Sequence, residues 1–215
     1  MKFNLDESVA FWQVGHMLSL QDEMNTQVHP NWREQNYPWY RAIWTECAEL
    51  MDHHGWKWWK HQEANQEQVH LELVDIWHFG MSWLLQKYGP DNEPTAELVQ
   101  TLQLTQGHNT SFLKLVETLA LSAVTHRQFV PAQFARLMMA ADMSLDELYR
   151  LYIGKNTLNR FRQDFGYKEG TYHKIWDGRE DNDYLYELLK TLDSTTPAFM
   201  SQVYNGLAAK YPQIH

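Results

Sequence analysis

Phe112, Leu115, Val116, Leu119 and Ala123 recur at i, i+3, i+4, i+7 and i+11, the spacing that lines one side of an α-helix. Helical spacing returns along most of the chain, and the alternating runs that make half-buried strands are essentially absent. That pattern confines the protein to an all-α fold, a helical bundle. One helix is expected from Asp6-Glu-Ser-Val, with Val9, Trp12, Met17 and Leu20 on its apolar stripe. A second covers Trp39–Met51, with Ile43, Cys47 and Leu50 on one stripe. A third begins within Gln62–Gln66 and runs to Tyr88, stopped by Gly89-Pro90. Others follow over Pro94–Leu104, from Phe112, from Pro131 to about Met139, and from the capping box Ser144-Leu-Asp-Glu147 toward Asn159. Gly166, Gly170 and Gly178 punctuate a loop-rich stretch before closing helices at Tyr184–Leu192 and Pro197–Lys210. No internal repeat or Gly/Ser linker interrupts the 215 residues, so a single domain over 1–215 is expected.

Composition removes several classes. No run of about 18 apolar residues exists to span a membrane. The first residues lack the basic, apolar and small-residue regions of a secretory signal. The single cysteine, Cys47, excludes an internal disulfide framework and fits a reducing cytoplasm. Net charge is −9, from 18 Lys and Arg against 27 Asp and Glu. That disfavours long nucleic acid as a partner, because phosphate-backbone binding needs a basic surface. The charge is not uniform, however. Arg150, Lys155, Arg160, Arg162, Lys168, Lys174 and Arg179 face only three acids, so Arg150–Arg179 carries +4 and the remainder −13.

The acidic residues hold a pattern of their own. Glu46 and Glu49 are three apart on the second helix, and Glu72 and Asp75 are three apart on the third, so each pair shares a helix face. Two neighbouring helices can then aim four carboxylates at one point. Like charges repel there unless a hard divalent cation intervenes, and an all-oxygen ligand set suits Mg²⁺, Mn²⁺ or Ca²⁺. A rival metal reading uses Glu67-Gln-Val-His70 and Asp75-Ile-Trp-His78. Both lie on one helix with the histidines roughly 12 Å apart, too far for one compact di-iron centre. In the basic segment, Lys155, Asn159 and Arg162 fall at i, i+4 and i+7, and Lys168, Tyr172 and Lys174 follow on the glycine-punctuated loop. Such groups suit a polyphosphate. Gln21 and Asn25, at i and i+4, are amides able to read a base edge. Walker A, GxSxG and HExxH motifs are absent.

Together these segments resemble the dimeric all-α dUTPases, within the all-α NTP pyrophosphatase (MazG-like) superfamily. The resemblance rests on Met17-Leu-Ser-Leu-Gln-Asp-Glu-Met-Asn25, the ExxE and ExxD pair, Lys57-Trp-Trp-Lys60, and the block from Tyr152 to Asn182. It implies a helical bundle with a rigid part and a mobile part closing over the substrate, acting as a homodimer. It implies hydrolysis of dUTP to dUMP and pyrophosphate, with dUDP as a further substrate, keeping uracil out of DNA. A related all-α nucleotide pyrophosphatase preferring dCTP or another (d)NTP is the alternative, and an aromatic-rich helical binding protein is the non-enzymatic one. By the same resemblance Glu46, Glu49, Glu72 and Asp75 would ligate two or three Mg²⁺ ions, with Mn²⁺ as a substitute. Glu49 would also take the proton from the attacking water. Gln21 and Asn25 would bond uracil, Trp58 or Trp59 would line the base pocket, and Phe79 would pack on deoxyribose. Asn159 would contact the nucleoside, and Lys155, Arg162, Lys168, Tyr172 and Lys174 the phosphates. Gln21 is adaptable, so cross-activity with dCTP stays open.

Overall fold

The computed structural model describes residues 6–89, 94–106, 110–194 and 196–212, so Pro90 of the expected Gly89-Pro90 stop lies outside the described residues. Regular structure is almost wholly helical, as the periodicity requires. The chain divides into two compact units, 1–149 and 150–215.

In the first unit, Asp6 accepts from the backbone N–H groups of Ser8 and Val9 and caps α1 (Glu7–Val28). The buried stripe of α1 is Ala10, Val14, Met17 and Leu18, continued by the polar Gln13, Gln21 and Asn25. Val9 and Trp12, expected on the apolar stripe, are exposed, and Leu20 is part-buried. Hydrophobicity alone misjudged the phase because three of the inward residues are amides. Trp12 instead lies against His16 and Tyr149, its ring 5.4 Å from the ring of each.

Helix α2 (Trp39–His54) packs along α3 (Gln66–Tyr88) and against α5 (Phe112–His126). Ile43, Cys47 and Leu50 of α2 are buried with Leu73, Val74, Ile76 and Trp77 of α3. Trp77 stacks on Phe134 of α6 (Pro131–Ala140), ring centroids 5.1 Å apart. Gly80 on α3 is a close approach: a Cβ there would sit 2.7 Å from the Phe129 ring. Helix α4 (Thr95–Leu104) packs on α1 and α6.

The division between units falls within α7 (Leu145–Asp164), whose start is the expected capping box: the Glu147 N–H donates to Ser144 Oγ at 3.1 Å. The second unit adds a small hairpin, β1 (Ile175–Trp176) paired antiparallel with β2 (Arg179–Glu180), then α8 (Asp181–Thr191) and α9 (Phe199–Ala208), which pack together. Strand was not expected here. The turn residues Asp177 and Gly178 both take positive φ, +47° and +81°. Asp-Gly favours this two-residue hairpin turn, but flanking strands of two residues are too short to register as alternation. Among the described residues, no helix is long and apolar enough to cross a membrane.

Candidate active site

Because α2 lies along α3, Glu46 meets Glu72 and Asp75, one ligand atom from each lying within 4.8 Å of the others. Two oxygens bound to one hard cation at 2.0–2.6 Å are at most about 4 to 5 Å apart. The trio therefore suits a shared divalent ion, and its all-carboxylate chemistry suits a hard one. Glu72 is 6% exposed, and His53 Nε2 lies 3.5 Å from its Oε1. Sequence reasoning missed His53. Its signal was the seven-residue spacing from Glu46, two turns along the same face. Glu49, one turn beyond Glu46, is exposed and lies outside the trio. Between the two, Cys47 is buried; burial first, and the neighbouring Glu46 charge second, push its thiol up to about 12.

The amides form a network. Gln21 Nε2 donates to Asn25 Oδ1 at 3.1 Å and to Ser82 Oγ at 3.0 Å. Asn25 Nδ2 donates to the same Ser82 Oγ at 3.0 Å. Gln21 Oε1 lies 2.6 Å from His78 Nδ1, and Ser82 Oγ donates to the His78 carbonyl at 3.0 Å. All four side chains are buried, so the amides are core groups rather than solvated ones. Ser82 and His78 were not expected in this role; their positions, four apart on α3, do not by themselves point at α1. His70, the other histidine of the rival motif, contacts the Ala141 carbonyl at 3.0 Å.

Trp58 and Trp59 sit on the loop joining α2 to α3. Gln62 Oε1 accepts from the N–H groups of Trp56 and Lys57, and the Asn65 N–H donates to the His53 carbonyl, which pins the loop at both ends. Asp52 holds Lys57 and the Trp56 indole N–H, and those two hydrogen bonds pull its carboxyl below the ordinary value. The held loop leaves Trp58 89% exposed and Trp59 57% exposed, their ring centroids 5.0 Å apart. Phe79, one turn after Asp75, is part-buried with its ring 6.5 Å from Trp39.

In the second unit the basic segment is organised around Asp181. Arg162 Nε and Nη2 donate to its two oxygens at 2.8 Å each, a bidentate fork, and the Tyr172 hydroxyl donates to Oδ2 at 2.8 Å. Burial favours the protonated acid, but Arg162, Tyr172 and Lys155 outweigh it, and the Asp181 pKa is lowered. Tyr172 is raised far above the ordinary phenol, by burial first and by Asp181 second, so it stays a neutral donor. Lys155, buried on α7, donates to Asn182 Oδ1 at 3.0 Å, and Arg162 Nη1 donates to Asn159 Oδ1 at 3.2 Å. Lys174 pairs with Glu180 at 3.1 Å; burial opposes its charge, but Glu180 prevails and its pKa is raised. Lys168 is exposed. Sequence reasoning left Asp181 outside the candidate site, although it organises the cations that were named.

The first unit thus carries a carboxylate trio fit for a divalent ion and a buried amide pair, and the second unit an ordered cationic segment, each a kind of group that metal-assisted phosphohydrolysis uses. A family model described as dUTPase matches residues 13–167, and the chain belongs to that all-α dUTPase family. Its activity is accordingly that of a dUTP-hydrolysing enzyme, a dUTP diphosphatase. No curated protein sequence matches the chain.

Proposed function

We propose that the enzyme converts dUTP to dUMP and pyrophosphate in a Mg²⁺-dependent reaction, with dUDP as a second substrate. The observation that carries this reading is the Glu46, Glu72 and Asp75 trio, whose oxygens lie within the span of one hard cation. These three side chains would hold the metal, with Glu49 as the fourth expected ligand. When bound, the ion supplies charge stabilisation at the phosphoryl oxygens and activation of water. Glu49, exposed one turn from Glu46, is the base that takes the proton from the attacking water. Gln21 and Asn25 bond uracil, Trp58 or Trp59 lines the base pocket, and Phe79 packs on deoxyribose, where it crowds a 2′-hydroxyl. Asn159 contacts the nucleoside.

Lys155, Arg162, Lys168, Tyr172 and Lys174 meet the phosphates. Arg162 is already oriented by Asp181 and keeps N–H groups beyond that fork, so ordering it costs little when the anion arrives, whereas Tyr172 would turn its one O–H from Asp181 to the phosphate. Positioning and charge stabilisation do the chemistry, and no covalent intermediate with the protein is needed. The enzyme works as a cytoplasmic homodimer; exposed Trp44, Leu121 and Val124 on α2 and α5 leave apolar surface for a second copy.

A nucleotide panel with Mg²⁺, reading pyrophosphate release, tests the substrate. The expected order places dUTP first; a preference for dCTP transfers the reading to the related pyrophosphatases. Glu49→Gln is expected to abolish turnover while keeping the helical circular dichroism, and near-normal turnover removes Glu49 as the base. Light scattering on the purified protein checks the dimer, and a monomeric mass excludes it.

A further inference from the structure

We infer that Ser82, with His78, fixes which way the Gln21 and Asn25 amides face, and thereby makes the enzyme choose uracil over cytosine. The inference rests on the proposed role of these amides in base contact. Its physical basis is a count of protons. Ser82 Oγ has one hydrogen and three neighbours: the His78 carbonyl, Gln21 Nε2 and Asn25 Nδ2, each at 3.0 Å. A carbonyl can only accept, so the hydroxyl proton goes to His78. The oxygen is then an acceptor toward both amides, and both must turn an N–H to it. Reversing either amide sets a carbonyl oxygen against an oxygen with no proton between them, inside a site where Ser82 has no exposed surface. With Gln21 Nε2 so directed, its Oε1 faces His78 Nδ1 at 2.6 Å, and that nitrogen must carry a hydrogen.

The consequence reaches the base. Asn25 spends one Nδ2 proton on Ser82 and one lone pair of Oδ1 on Gln21, which leaves it one donor and one acceptor in a fixed order. Uracil offers an acceptor, O4, beside a donor, N3–H. Cytosine offers the same two positions reversed, an amino donor beside an acceptor nitrogen. A freely turning amide serves both bases; one held by Ser82 serves uracil and leaves buried polar groups unpaired against cytosine. His78 and Ser82 are therefore positioning residues, acting through the amides.

The test compares kcat/KM for dUTP and dCTP in the full-length enzyme with Mg²⁺. Ser82→Ala and His78→Leu are expected to raise the dCTP/dUTP ratio about tenfold or more, since reading by oriented hydrogen bonds is lost. His78→Asn, which can return an N–H to the position of Nδ1, is expected to keep the ratio within about threefold of wild type. Long-range ¹H–¹⁵N spectra of the unmodified enzyme are expected to show His78 Nδ1 protonated, whatever the variants do. An unchanged ratio in Ser82→Ala, or an unprotonated Nδ1, overturns the inference. If the wild type releases no pyrophosphate from dUTP, the function proposed above falls and takes this inference with it. If it does, and Ser82→Ala keeps the wild-type ratio, only the inference falls.

Discussion

Asp181 has no exposed surface, and its carboxylate is met by the Arg162 fork and the Tyr172 hydroxyl. Removing one partner of such a pair leaves an uncompensated buried charge, at a cost of about 3 to 5 kcal/mol. Arg162→Ala is expected to lower stability by that amount in urea unfolding. The Asp181 pKa is lowered in the folded state, so the unfolded chain binds the proton more readily. Its contribution is therefore complete above the ordinary carboxylate range, near pH 4, and is lost as pH falls through the lowered folded value. Asp181→Asn is expected to be much less stable than wild type at pH 6, with the difference narrowing as pH falls below about 4; a difference that stays constant through that fall contradicts the assignment. Cys47, buried and pushed up to about 12, is expected to resist a thiol reagent until the protein is unfolded. At this scale the sequence was a partial guide. Lys155, Asn159 and Arg162 were legible because charge and spacing mark them. Asp181 was not, because its role depends on a chain reversal that brings residues 162, 172 and 181 together, and no spacing rule carries that information.

Helix boundaries were largely legible. The Asp6 cap, the Ser144 box and Pro131 all act where the local chemistry places them, because a cap satisfies backbone groups within its own turn. Which face of a helix turns inward was less so. On α1 the buried row includes Gln13, Gln21 and Asn25, whose burial is affordable only because partners on other elements bond them, as Ser82 does for two. On α3 the fit is tighter than composition suggests. A Cβ at Gly80 would lie 2.7 Å from the Phe129 ring, so Gly80→Ala is expected to cost about 1 to 3 kcal/mol through overpacking, despite alanine's better helix propensity. Adding Phe129→Leu, which removes the ring, is expected to recover part of that loss. If Gly80→Ala is as stable as wild type by thermal unfolding, the close packing of α3 at this point is wrong. The hairpin at 175–180 marks the lower limit of what pattern can find: its turn residues are typical, but its strands are two residues long.

Across the whole chain, net charge −9 first argues against phosphate-rich partners. That charge divides into two local features of opposite sign: the carboxylate trio on α2 and α3, and the cationic segment gathered around Asp181. A divalent ion reconciles an acidic site with an anionic substrate. Mg²⁺ at 100 times its Kd is expected to stabilise the fold by about 2.7 kcal/mol. That shift is expected to vanish in Glu72→Gln, and a shift that persists there places the ion elsewhere. Membership of the dUTPase family rests on residues 13–167, so the basic block is covered only in part. The phosphate contacts proposed for Lys168, Tyr172 and Lys174 rest on the resemblance of the Tyr152–Asn182 block and on their cationic and hydroxyl chemistry. The most direct test of the whole account is pyrophosphate release from dUTP by the wild-type enzyme, measured with Mg²⁺ and again after chelation. Stoichiometric dUMP and pyrophosphate are expected with the metal, and loss of turnover without it. Equal turnover after complete chelation, or dUTP left intact with Mg²⁺ present, would contradict it.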